Sequence, residues 1–202
     1  MKKITLTIAT SALGLLLMSG CADKVQRIDM SNDTGGQVMG LDYRDFNEAA
    51  SDAIHSMLKS PVLDKADGER YILAISDVKN DTMQHIDTDQ LIKKIRIELL
   101  NSGKVYVTTA VGSAEDKMNT KARELRKNAE FDTTSVQIEG TLQAPDMSLS
   151  GKILQRNIRM NEDKQQVEYY FMLTLTNLKN GFAVWEGESI IGKRGSNKSV
   201  AW

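Results

Sequence analysis

Residues 70–109 read RYILAISDVKNDTMQHIDTDQLIKKIRIELLNSGKVYVTT. Arg70–Ser76 is an apolar run of strand length, and Asp77–Thr82 after it is rich in turn residues. Asp87 then stands three residues before Gln90, the spacing of a capping box. Leu91, Ile92, Ile95 and Leu99 repeat at three- and four-residue steps, so the spacing predicts a helix over Asp87–Ser102. Gly103 follows where a left-handed residue closes a helix. Lys104–Thr109 alternates and is β-branched, which is strand chemistry. A strand, a helix and a second strand in this order set the fold class for what lies on either side.

Upstream, Asp42–Ser60 reads as a helix with Tyr43, Phe46, Ala50, Ile54, Met57 and Leu58 on one stripe. Pro61 ends it, because the residue before a proline avoids the α region. Downstream, Asp116–Glu130 reads as a polar helix whose apolar face is Met118, Ala122, Leu125 and Ala129. Its basic residues are interspersed with Glu115, Asp116, Glu124 and Glu130, which marks a solvated face. The last third switches to period two, with strands at Val136–Leu142, Ser148–Met160, Gln165–Thr176 and Ala183–Ile191. In the third of these, Val167, Tyr169, Phe171, Leu173 and Leu175 share one face. Asn180-Gly181 is the dipeptide of a type I′ hairpin turn. The pattern is that of an α+β fold, helices packed on a mixed sheet that ends in an antiparallel meander.

The N-terminus reads as an address. Met1-Lys2-Lys3 is basic, Ile4–Met18 is mostly apolar, and a stretch of that length is short for a membrane span. Leu17-Met18-Ser19-Gly20-Cys21 resembles a bacterial lipobox, so residues 1–20 are expected to be a lipoprotein signal peptide and Cys21 the lipid-attachment residue. Two or three acyl chains make a stable membrane anchor. Ala22 follows the cysteine where an Asp would signal retention in the inner membrane, so outer-membrane delivery facing the periplasm is expected. Residues 21–40 are polar with Gly35-Gly36, a flexible tether, although a first strand around Gln37–Leu41 stays open. Residues 41–191 are expected to form the globular domain and 192–202 a frayed tail.

Composition removes several functions. The 202 residues hold 26 Lys+Arg and 27 Asp+Glu, no footprint for nucleic acid. One cysteine and two histidines leave no disulfide framework and little for a metal centre. No nucleophile elbow, phosphate loop or dinucleotide fingerprint is present. Asp77, Asn80, Asp81, Asp87 and Asp89 cluster, but turn and cap chemistry accounts for them. No catalytic residue, cofactor or metal site is therefore assigned, and His55 and His85 read as ordinary side chains.

The order of Ile75–Thr82, the helix at Asp87–Leu100, Asn101-Ser102-Gly103-Lys104-Val105 and the closing hairpin Met172–Gly187 with its Val184-Trp185 pair resembles the LpoB family. The resemblance covers about residues 41–191 together with the lipobox. It implies a fold like the N-terminal domain of TolB and regulation by contact, with no catalytic residues. It also implies a partner, a bifunctional penicillin-binding protein that polymerises and cross-links peptidoglycan. Family members carry a long Pro-rich spacer, whereas this chain has two prolines, Pro61 and Pro145, neither in the tether. Residues 22–40 reach about 65 Å fully extended and roughly 25 Å as a coil. The other reading is a structural or assembly lipoprotein of the envelope, such as an accessory to surface secretion.

Overall fold

The computed structural model of the protein describes residues 27–29 and 38–199. The expected signal peptide, Cys21, most of the expected tether and residues 200–202 lie outside the described residues. The chain divides after Gln37, and every element below belongs to the second unit.

Helix α1 (Tyr43–Lys59) starts at a reciprocal cap. The Asp42 carboxylate accepts from the Arg44 and Asp45 amides, and the Asp45 carboxylate accepts from the Asp42 amide at 2.7 Å. Ser60 ends the helix in extended backbone before Pro61, as expected, and Pro61–Leu63 forms a single 3-10 turn. Ala49, Ala50, Ala53, Ile54 and Met57 are its buried apolar residues, whereas Tyr43, expected on the same stripe, is exposed.

Strand β1 (Tyr71–Asp81), helix α2 (Thr88–Ser102) and strand β2 (Val105–Val107) form the expected strand–helix–strand run. Asp87 caps α2 by accepting from the Asp89 amide at 3.0 Å, and Gly103 closes it at φ 66°. Strand β1 runs five residues past Ser76. A register shift between Ile75 and Val78 accommodates Ser76-Asp77, after which β1 resumes parallel pairing, Val78 beside Gly151. The turn therefore begins later than the sequence suggests, with Asn80 Oδ1 accepting from the Thr82 amide and hydroxyl.

Two expected elements between β2 and the next strand are different. Helix α3 is short (Met118–Glu124), continues as a 3-10 turn over Leu125–Lys127, and buries no residue. Val136–Leu142 alternates like a strand but is not one. Arg126 takes the carbonyl of Gln137 and Arg123 takes that of Ile138, so these acceptors serve side chains instead of a neighbouring strand. Gly140, at φ 76°, turns the chain there.

Strands β3 (Met147–Arg159), β4 (Lys164–Asn177) and β5 (Phe182–Ser196) form the antiparallel meander. The sheet order is β2-β1-β3-β4-β5, with β1 parallel to both neighbours, so the sheet is mixed and the fold is α+β. The β4–β5 turn is not type I′, because Gly181 alone has positive φ and its amide donates to the Asn177 carbonyl at 2.8 Å across four loop residues. Strand β5 also runs past Ile191 through Ser196, with Lys193 opposite Val167, so residues 192–196 are sheet where a tail was expected.

One face of the sheet is covered by α1 and α2. Leu73, Ile75, Leu149, Ile153 and the alternate β4 residues Val167, Tyr169, Phe171, Leu173 and Leu175 meet Ile54, Met57, Ile95 and Leu99 in a single core. Phe46 of α1 packs edge-on against Phe171, ring centres 5.8 Å apart. The β4 alternation is as the sequence reading has it.

Candidate functional site

The described residues bring no catalytic set together. His55 on the outer side of α1 and His85 in the β1–α2 loop are both exposed. Among the described residues no three His, Cys, Asp or Glu side chains converge on a metal position. Three acids of the 77–89 cluster have other roles. Asp77 accepts from the Ser113 hydroxyl, and Asp87 caps α2. Asp81 pairs with Lys152 at 2.7 Å, and that hydrogen bond and charge hold its carboxyl below the usual range. Cys21 lies outside the described residues.

The most polar buried feature lies where the N-terminal segment joins the domain. Lys193 of β5 turns under α1, where its ammonium reaches the Asp45 carboxylate at 2.5 Å and the Gly40 carbonyl at 2.7 Å. The Leu41 amide donates to Gln84 Oε1, the Gln84 amide nitrogen donates to the Tyr169 hydroxyl, and that hydroxyl donates to the Met39 carbonyl. Burial, and after it the Asp45 charge, push the Tyr169 hydroxyl up to about 12. Three consecutive residues, 39–41, are thus fastened to β5, β4 and the β1–α2 loop. Two of them fall within the expected tether. This clasp fixes residues 39–41 onto the domain.

The exposed surface with the strongest claim to a partner is the connection between β2 and β3. It starts against the sheet: the Thr108 amide donates to the Leu73 carbonyl and the Ser113 amide to the Ile75 carbonyl. Gly112 has φ 88°, and a Cβ there would strike the Ile75 carbonyl oxygen, so glycine is required. Further on, α3 is held to residues 137–142 by arginines. Arg123 donates to the Ile138 carbonyl at 3.0 Å and the Thr141 hydroxyl at 3.1 Å, and Arg126 pairs with Glu139 at 2.7 Å. A depression of about 340 Å³, walled by Arg123, Lys127, Gly140 and Leu142, opens between them. Because hydrogen bonds do this work, the large apolar side chains stay outside. Val111, Met118, Phe131, Ile138 and Leu142 are all exposed, Ile138 by 74%. A long connection with little secondary structure of its own and outward apolar groups is characteristic of binding loops.

The family described as "Peptidoglycan-synthase activator LpoB" matches residues 45–191. Similar solved structures include the LpoB C-terminal domain from Escherichia coli, at 14% identity over 73% of this chain and 98% of that one, TM-score 0.44. The LpoB C-terminal domain from Salmonella enterica is 17% identical over the same shares, TM-score 0.42. A lipoprotein from Neisseria meningitidis is 14% identical over 64% of this chain and 86% of that one, TM-score 0.34. Comparison with curated proteins gives no match.

Proposed function

Since the chain belongs to the LpoB family of peptidoglycan-synthase activators, we propose that it is a lipoprotein of the outer membrane, facing the periplasm, that binds a bifunctional penicillin-binding protein and raises its activity by contact. The observation that carries this reading is the extent of the family match, which runs from the first turn of α1 into β5. In this proposal residues 1–20 are removed, Cys21 carries the acyl chains and residues 22–38 are the tether to the clasped segment. The contact surface is the β2–β3 connection, with the exposed Phe131, Ile138 and Leu142 as its apolar groups and Arg123, Lys127 and Glu139, which line the depression with Leu142, as its polar ones. Exposed apolar groups interspersed with charged ones suit a protein interface.

Activation by contact requires tighter binding to the active form of the synthase, and a tenfold shift needs only about 1.4 kcal/mol. The test is glycan polymerisation by the purified cognate synthase, with and without the lipid-free protein made by Cys21→Ala. The protein raises the rate and consumes no glycan precursor alone. His55→Ala and His85→Ala leave the stimulation intact, whereas Ile138→Asp lowers it at unchanged melting temperature. Absence of binding to every penicillin-binding protein of the source organism refutes the proposal and moves the protein to the assembly-lipoprotein reading.

A further inference from the structure

The sheet has one long open edge. On the β2 side, the outer strand is three residues long, and the amides of Thr108 and Ser113 cover the edge of β1 beyond it. On the other side β5 presents fifteen residues, and no described segment pairs with its outer edge. An open row of amides and carbonyls is a template for another strand unless something guards it. The one register irregularity of β5, at Val184, lies before the run Trp185–Ser196, and within that run two bulky or basic side chains are turned away from the edge. The Lys193 ammonium is engaged beneath α1 by Asp45 and Gly40, and the Trp185 ring lies back along β5 over Gly187.

The side chains of β5 on the helix-free face carry a pattern that fits a second β5. Leu173 faces the helices and is paired with Gly187, so Glu186, Glu188, Ile190, Gly192 and Arg194 point to the opposite face. These are acidic, acidic, apolar, glycine, basic, and the order reads in antiparallel complement about Ile190. A second copy running antiparallel about that residue sets Glu186 opposite Arg194 twice, Glu188 opposite Gly192 with Arg194 on its diagonal, and Ile190 against its own copy. Ile190 is 54% exposed, and neither Glu186 nor Arg194 has an ion-pair partner among the described residues. Arg194 donates instead to the Gln166 side chain, and Glu186 accepts from Thr174 at 3.5 Å.

We propose that two copies of this chain associate through β5, antiparallel about a two-fold axis at Ile190, into one continuous sheet of five strands from each copy. The interface is self-complementary and closes on itself, because the β2 edge offers no second docking strand. It leaves the β2–β3 connection of both copies open to other partners.

The register makes the test specific. In the Cys21→Ala background, which holds no other native thiol, Ile190→Cys places two thiols on the axis. The purified protein then forms a covalent dimer under mild oxidation, seen on a non-reducing gel, while Glu188→Cys, opposite a glycine, does not. Sedimentation velocity of the protein without added cysteine reads the same association reversibly. Glu186→Arg weakens it at least about tenfold, and Glu186→Arg with Arg194→Glu restores it, since both opposed pairs are rebuilt with signs exchanged. Circular dichroism confirms that both variants are folded. A species that stays monomeric across the concentration range overturns the proposal. So does a dimer indifferent to Glu186→Arg, or one cross-linked as well through Glu188→Cys as through Ile190→Cys. A β5 that pairs only with an added extended peptide assigns the edge to a different protein and overturns it too.

Discussion

Replacing Asp45 by Asn removes one charge from the clasp and little else. The amide keeps an oxygen for the Asp42 N–H, so the reciprocal cap of α1 survives, but the Lys193 ammonium is left with a neutral partner and the Gly40 carbonyl. The side chains of Lys193 and Asp45 are only 7% and 12% exposed, so water does not take the place of the lost charge. Breaking such a pair by deleting one charge costs about 3–5 kcal/mol, because the remaining charge stays buried. Domains of this size have about 5–15 kcal/mol in all. At about 2–4 °C per kcal/mol, the melting midpoint is expected to fall by roughly 6–20 °C. Thermal unfolding followed by circular dichroism measures it. The fall should persist at high salt, since a buried pair is poorly screened. Adding Lys193→Met to Asp45→Asn removes the stranded charge, so the double variant should be less destabilised than the sum of the singles. Amide exchange at Leu41 gives a local readout, since its N–H is held by Gln84 beside the clasp. A midpoint within about 2 °C of the unmodified protein, or strictly additive effects, refutes the assignment of the pair as the fastening of residues 39–41.

The Tyr169 hydroxyl titrates near 12 in the folded protein against an ordinary 10.0, so its contribution is complete below pH 10 and is lost as pH rises toward 12. The melting midpoint should fall across that window, and Tyr169→Phe should lessen the fall; an equal fall in both proteins refutes the role of Tyr169. Phe171 is buried beneath α1 whereas Trp185 is only partly covered on the outer strand. Phe171→Ala should therefore cost the full 3–5 kcal/mol or so of a buried aromatic and Trp185→Ala clearly less, by chemical denaturation, and the reverse order would place Trp185 at the centre of the core. Cys21→Ala should move the protein from the outer-membrane fraction to the soluble periplasm with its unfolding curve unchanged; failure of labelled palmitate to enter the unmodified protein removes the anchor.

What the sequence made legible is what a single buried face imposes. The alternation of β4 and the spacing Leu91, Ile92, Ile95, Leu99 are local consequences of one side facing the core, so they are readable without knowing the neighbour. Val136–Leu142 shows the limit of that logic. Its alternation has no partner strand behind it, and arginines eleven and fifteen residues upstream take its carbonyls. The end of β5 was obscured in the opposite way. Gly192, Lys193, Arg194 and Gly195 look like a frayed tail, yet Lys193 pairs with Val167 in the sheet and its ammonium meets an aspartate 148 residues away. Nothing near Asp45 announces that pairing, since an acid in the first turn of a helix is ordinary on dipole grounds alone. The one local hint was a lysine at an inward position of an otherwise alternating strand.

The proposed function was legible by a different route, and for a physical reason. Catalysis constrains side chains in pairs and triples, a base within reach of a nucleophile or ligands around an ion, and such constraints leave motifs. An activator working by contact needs only a surface that discriminates two forms of its partner, and about 1.4 kcal/mol of discrimination is a tenfold effect. Two or three apolar anchors supply that from many sequences. In the proposed interface Ile138 and Leu142 could be exchanged for other apolar residues without altering the arginine contacts beside them, because those contacts are made to the backbone of residues 137 and 138 and to Thr141 and Glu139. What stays recognisable is the frame, the order of strands and helices with a capped α2 and a closing meander. The frame is what the family match covers, whereas the proposed contact residues are set by a surface that many apolar side chains could build.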